Sequence, residues 1–343
     1  MKPDQIPVSP TIKELAMKLG ISHSTVSRAL RDHPAISEKT RDTVKAMAAQ
    51  LGYIPNNAAR ALKHLPSPIV GLVIPDIGNS YYSGIAKQMA ALLMKYHCQM
   101  VLSSTNDDPK AETMAVRSLL EARVRGVIIT PSVNLSAETA SMLARLNTVQ
   151  LGREHPALHT ASTVAVDDAR GIADATAHVY AHGHTRIGYI GSRETVSTGR
   201  NRVKGYRETM EKLGLAYTPQ WIWTGPSQRE NGQFAFEQIM ALRNRPSALV
   251  VGSPELALGV MVAARRAGFR IPGDVSLVSY GECPWYELIE GGVTAISLPE
   301  EKLARDAMSI LFEQSDTPRR SIHAPTLLSR GSVRAVSPCD TQI

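Results

Sequence analysis

Cysteine is scarce in this 343-residue chain: Cys98, Cys283 and Cys339 make an odd number, in no metal-binding or redox spacing. That excludes a disulfide scaffold and suits a reducing compartment, where the thiols read as packing or surface residues. Long apolar runs are missing too. None approaches the roughly 18–20 residues needed to span a bilayer, so no membrane partner is expected. Met1 to Pro10 has no apolar stretch of signal-peptide type, and a cytoplasmic location is expected. Also lacking are a Gly-x-Ser-x-Gly elbow and a phosphate-cradling glycine loop. His178, His182 and His184 look like a metal cluster, but only the first two share a helix face and His184 lies past Gly183. With no nucleophile–base pair and no metal set, neither an enzyme nor a cofactor is expected.

What is present begins with charge. The net charge is +7, and residues 1–63 hold +5 of it, as ten Lys/Arg against five Asp/Glu. A basic head on a near-neutral body is the asymmetry of a DNA-binding module attached to a sensor or scaffold. The head reads as helices. Thr11 caps the first, with Glu14 completing a capping box, and Ile12, Leu15, Ala16 and Leu19 give it one apolar face. Gly20 suits the left-handed residue that ends it. Ser22 caps a second helix whose buried side is Val26, Ala29 and Leu30. That leaves His23, Ser24, Thr25, Ser27 and Arg28 outside, a face suited to a DNA major groove. A third helix runs from a Ser37 cap to Gly52, with Val44, Met47, Ala48 and Leu51 as its stripe. Asn56 to about His64 reads as a short helix, too short to be stable alone.

The run Thr25-Val26-Ser27-Arg28, Ser37-x-x-Thr40-Arg41, Leu51-Gly52-Tyr53-x-Pro55-Asn56 and Ala59-Arg60-x-Leu62 resembles the headpiece of the LacI/GalR family of transcriptional regulators. The resemblance implies a sequence-specific repressor that binds a near-palindromic double-stranded operator as a homodimer. His23, Ser24 and Arg28 are the candidate base readers. Thr11, Ser22, Thr25, Ser27, Ser37 and Thr40 are the candidate phosphate contacts. Asn56, Ala59 and Leu62 belong to a hinge that enters the minor groove, with Leu62 as its wedge.

Beyond Pro66 and Pro68, apolar strand-length runs alternate with helices: 69–74, 100–102, 126–129 and 148–151, then 163–166, 187–190, 248–251, 275–278 and 293–296. Strands apolar throughout point to parallel sheets covered on both faces. The fold expected is an all-α helix-turn-helix head plus an α/β body of two doubly wound parallel-sheet lobes. The expected divisions are 1–55 for the head, 56–68 for hinge and linker, 69–336 for the body and 337–343 for a tail. Lobe 1 takes about 69–166 and 297–326, and lobe 2 about 167–296 and 327–336. The resemblance extends over this body, which is similar to periplasmic sugar-binding proteins. Further matches are Gly183-His184-x-Arg186-Ile187, Arg202-x-x-Gly205-Tyr206 and Ile271-Pro272-x-Asp274-Val275-Ser276.

The resemblance implies effector contacts from loops at the strand ends, and the cleft between lobes is the natural ligand site. The candidates are Asp76, Tyr81, Tyr82, Arg153, Thr198, Arg202, Ser253 and Glu282. Three polar positions of the family pattern are emptied, at Gly152, Ser253-Pro254 and Gly281, while Arg202 is kept. Losing acceptors and keeping a guanidinium favours an anionic effector, a sugar acid or phosphorylated metabolite, over a neutral sugar. Glu282 could replace a missing carboxylate. Asp107-Asp108 and Asp167-Asp168 precede helices and read as caps. The rival readings are a transport receptor, which the DNA head opposes, and an enzyme, which no residue set supports.

Overall fold

The computed structural model describes residues 10–30, 32–53, 67–313 and 317–336. Its contacts divide the chain into Met1–Ser67 and Pro68–Ile343. The expected boundary between head and hinge, with Asn56, Ala59 and Leu62, lies outside the described residues, as does the 337–343 tail.

In the first unit, α1 (Ile12–Leu19), α2 (His23–Ala29) and α3 (Glu38–Leu51) close around Leu15, Ala16, Val26, Ala29, Val44 and Ala48. Ile12, Leu19, Ile21 and Tyr53 flank this core. Gly20 and Gly52 end α1 and α3 with φ +64 each, a conformation glycine adopts without a Cβ penalty.

The second unit holds two six-stranded sheets. In the first lobe, β1 (Ile69–Ile74), α4 (Ser80–Lys95), β2 (Gln99–Ser104), α5 (Pro109–Glu121), β3 (Gly126–Ile129), α6 (Ala137–Leu143), β4 (Thr148–Leu151) and β5 (Ser162–Val166) alternate. The chain then crosses to α7 (Asp168–Ala181), β6 (Ile187–Ser192), α8 (Ser197–Lys212), β7 (Ile222–Gly225), α9 (Arg229–Met240), β8 (Ala248–Val251), α10 (Pro254–Arg266), β9 (Ser276–Tyr280) and β10 (Thr294–Ser297). It returns for α11 (Glu300–Glu313) and β11 (Arg320–His323), and crosses once more to β12 (Thr326–Leu328).

Strand order is β11-β5-β4-β3-β1-β2 in one sheet and β12-β10-β9-β8-β6-β7 in the other. The two lobes therefore repeat one topology without a sequence repeat. They differ at the last edge, where β11 runs parallel to β5 and β12 antiparallel to β10. Thr326 pairs with Ser297 in the second sheet, so the lobe boundary falls between His323 and Thr326 rather than after 326.

Central strands β1, β3, β4 and β9 are almost wholly buried and apolar-rich, as a sheet covered by helices demands. Strand β2 departs from the expectation of strands apolar throughout: as an edge strand it exposes Gln99 and Val101. Strand β7 starts at Ile222, directly after Trp221. Trp221 sits in a short 3-10 turn and donates Nε1–H to the Asn244 carbonyl at 2.7 Å. Helix α4 begins at Ser80, where Asn79 caps it by accepting the Tyr81 N–H at 3.0 Å.

Candidate functional site

Two places gather the polar side chains that packing does not consume. The first is the outer face of the head. Burying Val26 and Ala29 turns His23, Ser24 and Arg28 to the surface and leaves Thr25 and Ser27 half-buried. The capping hydroxyls are already organised. Thr11 accepts the Glu14 N–H at 3.3 Å and returns its own N–H to Glu14 Oε2 at 2.6 Å. Ser22 Oγ accepts the Thr25 N–H at 3.1 Å and lies 2.7 Å from Ser24 Oγ and 2.8 Å from Thr25 Oγ1. Ser37 Oγ caps α3 through the Thr40 N–H at 3.3 Å and meets Thr40 Oγ1 at 2.8 Å. The hydroxyls expected to meet phosphate thus cluster at helix starts, where unpaired N–H groups and the helix dipole favour an anion.

The second place is the cleft between the lobes. An inner chamber is walled by Tyr81 and Tyr82 from α4, Gly152 and Arg153 after β4, and Thr198 and Arg202 from α8. Ser253, Pro254, Tyr280, Val166 and Leu298 complete the apolar and polar walls, with Asp168 beside them. Tyr81 and Tyr82 meet edge to face, centroids 5.1 Å apart. Ser253 lines the chamber while capping α10, accepting the Leu256 N–H at 3.3 Å.

Arg202 anchors the floor. Its Nε donates to Asp168 Oδ1 at 2.8 Å and its Nη1 to the Gly252 carbonyl at 2.8 Å. The Tyr280 hydroxyl donates to the same Asp168 oxygen at 2.7 Å, and the guanidinium carbon lies 4.1 Å over the Tyr280 ring. Asp168 is 4% exposed. Burial pushes its carboxyl up, with Arg202 and Tyr280 pulling the other way. Burial works against the Arg202 cation, but Asp168 together with Tyr280 and Tyr189 outweighs it and holds the guanidinium above its ordinary range. Arg153 is paired as well, with both Asp107 oxygens, the Nη2–Oδ2 contact at 3.1 Å.

In the inner chamber both guanidiniums are compensated: Asp168 neutralises Arg202 and Asp107 neutralises Arg153. Arg202 and Asp168 both line the chamber, and Arg202 Nη2 and Asp168 Oδ2 carry no hydrogen-bond partner among the described residues. A ligand hydroxyl, at once donor and acceptor, satisfies both.

Two expected contacts fall elsewhere. Glu282 does not replace a missing carboxylate: both its oxygens bind Arg330, at 2.8 and 3.1 Å, outside the chamber. Asp76 lines the outer mouth of the cleft and holds the Gly78 N–H at 2.8 Å. Residues missing from the sequence reading are Asn79, Ser192, Ser227, Tyr280 and, above all, Asp168. Of the Asp167-Asp168 pair only Asp167 caps α7, accepting the Arg170 N–H at 3.1 Å. One cap needs one carboxylate, and that surplus was the available signal. His184 is a buried structural residue, and among the described residues no group of three or more His, Cys, Asp or Glu could hold a metal ion. No described helix is long and apolar enough to cross a membrane.

Comparison with known proteins places these sites in context. A family model for bacterial regulatory proteins of the lacI family matches residues 11–56, and one for the periplasmic binding protein-like domain matches 176–333. The HTH-type transcriptional repressor CytR of Escherichia coli K12 is 25% identical over 340 residues, covering 98% of this chain and all of its own. The HTH-type transcriptional regulator DegA of Bacillus subtilis is 29% identical over 301 residues, 86% of this chain and 88% of DegA. In fold, the chain is similar to the lac repressor dimer bound to operator and the anti-inducer ONPF, with a TM-score of 0.81 at 21% identity over 95% of this chain and 99% of that one.

Proposed function

The chain belongs to the LacI family of bacterial regulatory proteins, and on that premise we propose that it is a DNA-binding transcriptional repressor controlled by a small ligand held between its lobes. His23, Ser24 and Arg28 read base edges in the major groove, and the capping hydroxyls Thr11, Ser22, Thr25, Ser37 and Thr40, with Ser27, set the helix ends on phosphates. Two copies bind a near-palindromic operator, and Asn56, Ala59 and Leu62 supply the minor-groove hinge. The ligand is a neutral, hydroxyl-rich molecule of sugar type. The observation that carries this is the Asp168–Arg202–Tyr280 cluster, which offers one free acceptor and one free donor in place of a bare cation. The sugar-acid reading keeps one support, the Arg193 cation at the cleft mouth, and titration separates the two.

Control follows from where the walls come from. Tyr81, Tyr82 and Arg153 belong to the first lobe, and Thr198, Arg202 and Ser253 to the second. A ligand touching both binds one inter-lobe angle better than another, and that difference in affinity is what shifts operator binding. Fluorescence anisotropy with DNA from upstream of the chain's own gene tests the DNA function, and failure to bind there or at any genomic fragment sinks it. Calorimetry with neutral sugars against sugar acids and sugar phosphates tests the ligand class. Tight binding of an acid, with no neutral sugar bound, overturns the neutral assignment.

A further inference from the structure

We propose that the strand-start pole of the second lobe is a phosphate-binding surface for a second DNA duplex, apart from the one the head grips. The inference rests on the DNA-binding reading above only for that first duplex. The cleft takes the ends of the second lobe's parallel strands: Ser192 closes β6, Gly225 closes β7, Ser253 follows β8 and Tyr280 closes β9. The starts of these strands therefore lie at the opposite pole of the lobe. The loops that lead into them, with 333–336 alongside, hold Arg186, Arg243, Arg245, Arg270 and Arg334 against one carboxylate, Asp274. The last turn of α10 adds Arg265 and Arg266, that of α9 adds Glu237, and the loop into β10 adds Glu290. In the last turn of α8, Glu211 and Lys212 cancel. Seven arginines against three carboxylates give the pole a net +4. Residues 64–343 carry +2 in all, so the rest of the body nets −2.

These cations share one surface. Parallel pairing sets Ile187 beside Ala248 and Ala248 beside Ser276. The Arg186 carbonyl accepts the Ser247 N–H at 2.9 Å, and the Arg334 N–H reaches Ser276 Oγ at 3.1 Å. The Arg245 guanidinium lies 5.0 Å over the Phe269 ring. Arg270 bonds both oxygens of Asp274, at 3.1 and 3.3 Å, and so uses up that carboxylate. Arg243, Arg245, Arg265 and Arg266 are exposed and make no ion pair with the described residues. A helix dipole accounts for a cation in a last turn, as at Arg265 and Arg266. It does not account for Arg186, Arg243 and Arg245, which stand beyond any helix. A guanidinium fork fits phosphate oxygens, and a duplex offers about one negative charge per 1.7 Å of its axis. Such a surface grips the backbone and reads no base. The arginine-bearing loops hold none of the exposed large apolar side chains, so they lack the apolar core of a protein interface. A chain already held on DNA meets further segments at high effective concentration.

The test is fluorescence anisotropy of a short labelled duplex of random sequence. It is added to the full chain already saturated with unlabelled DNA from upstream of its gene. The expected result is capture at about 50 mM salt that weakens roughly a hundredfold at about 200 mM, the drop for about four phosphate contacts. Arg243→Gln combined with Arg245→Gln should weaken capture at least fivefold and leave the affinity for the upstream DNA unchanged. Arg265→Gln combined with Arg266→Gln should act alike, and it decides the matter if the first pair fails to fold. No capture at the lower salt overturns the proposal and leaves the operator-binding head standing. So does capture untouched in both double variants. Equal competition by polyglutamate of matched charge would assign the pole to an acidic protein and overturn the duplex. If the upstream DNA does not bind, the repressor reading falls. The random duplex is then titrated alone, and the same variants decide whether the pole holds it.

Discussion

Acid should unfold the second lobe through His184. The ring is 1% exposed, with Nδ1 2.8 Å from Ser247 Oγ and Nε2 3.2 Å from the Arg334 carbonyl oxygen. A carbonyl can only accept, so Nε2 carries the hydrogen and Nδ1 of the neutral ring accepts from Ser247. Burial pushes the imidazole down to about 4 from an ordinary 6.5, with the Arg334 carbonyl pulling back. In the unfolded chain the ring takes a proton first. The stabilisation is therefore complete above about 6.5 and is lost as pH falls toward about 4. At about 1.4 kcal/mol per pH unit that gap limits the loss to roughly 3 kcal/mol, of which roughly 2 has gone by pH 5. Trp221, Trp223 and Trp285 all lie in the second lobe, so tryptophan fluorescence during urea unfolding reports on it. The chain should lose about 2 kcal/mol more between pH 7 and pH 5 than its His184→Gln variant does. Buried carboxyls such as Glu112 and Asp168, raised by burial, act in the opposite sense and cancel in that comparison. Equal pH dependence in chain and variant would refute the argument.

Other substitutions test other parts. Arg28→Ala should cost about 1–3 kcal/mol on the cognate operator and relax preference at one base pair, measured by anisotropy on a set of single-base operator variants. An equal loss on random DNA would make Arg28 a phosphate contact. Asp168→Ala leaves a guanidinium buried without its counter-charge and should destabilise the body by about 3–5 kcal/mol, while the Asp168→Ala, Arg202→Met double variant should lose less. Additive losses in urea midpoints would contradict a coupled pair. At Gly205 an added Cβ would sit 2.3 Å from the Ala169 carbonyl oxygen, a backbone atom that cannot turn aside. Gly205→Ala should therefore lower stability by about 2 kcal/mol or more in calorimetric melting, and an unchanged melting temperature would show that α7 and α8 separate freely.

The head was legible almost residue by residue because caps act over three or four positions. Thr11 with Glu14, Ser22 with Thr25 and Ser37 with Thr40 are local contacts that sequence spacing encodes. The alternation of the body was legible for a similar reason, since buried parallel strands leave unbroken apolar runs. The cleft was legible only in part. Arg202 was found, but its partners Asp168 and Tyr280 are 34 and 78 positions away, and no periodicity joins them. Without the partners, the guanidinium read as a bare charge and pointed to an anion. Glu282 failed in the same way, because Arg330, 48 residues on, claims its carboxylate. Edge strand β2 departed from the apolar pattern because one of its flanks has no neighbouring strand.

The last crossover has a consequence for how the chain is made. The stretch from Arg320 to Leu328 supplies the final strand of both sheets, β11 to one and β12 to the other. Neither lobe is a continuous segment: the first cannot complete its edge until residue 323 has left the ribosome, and the second not until residue 328. The head needs only residues up to Tyr53 for its core. At about 5–20 residues per second, that puts tens of seconds at the slow end between a folded DNA reader and a finished sensor.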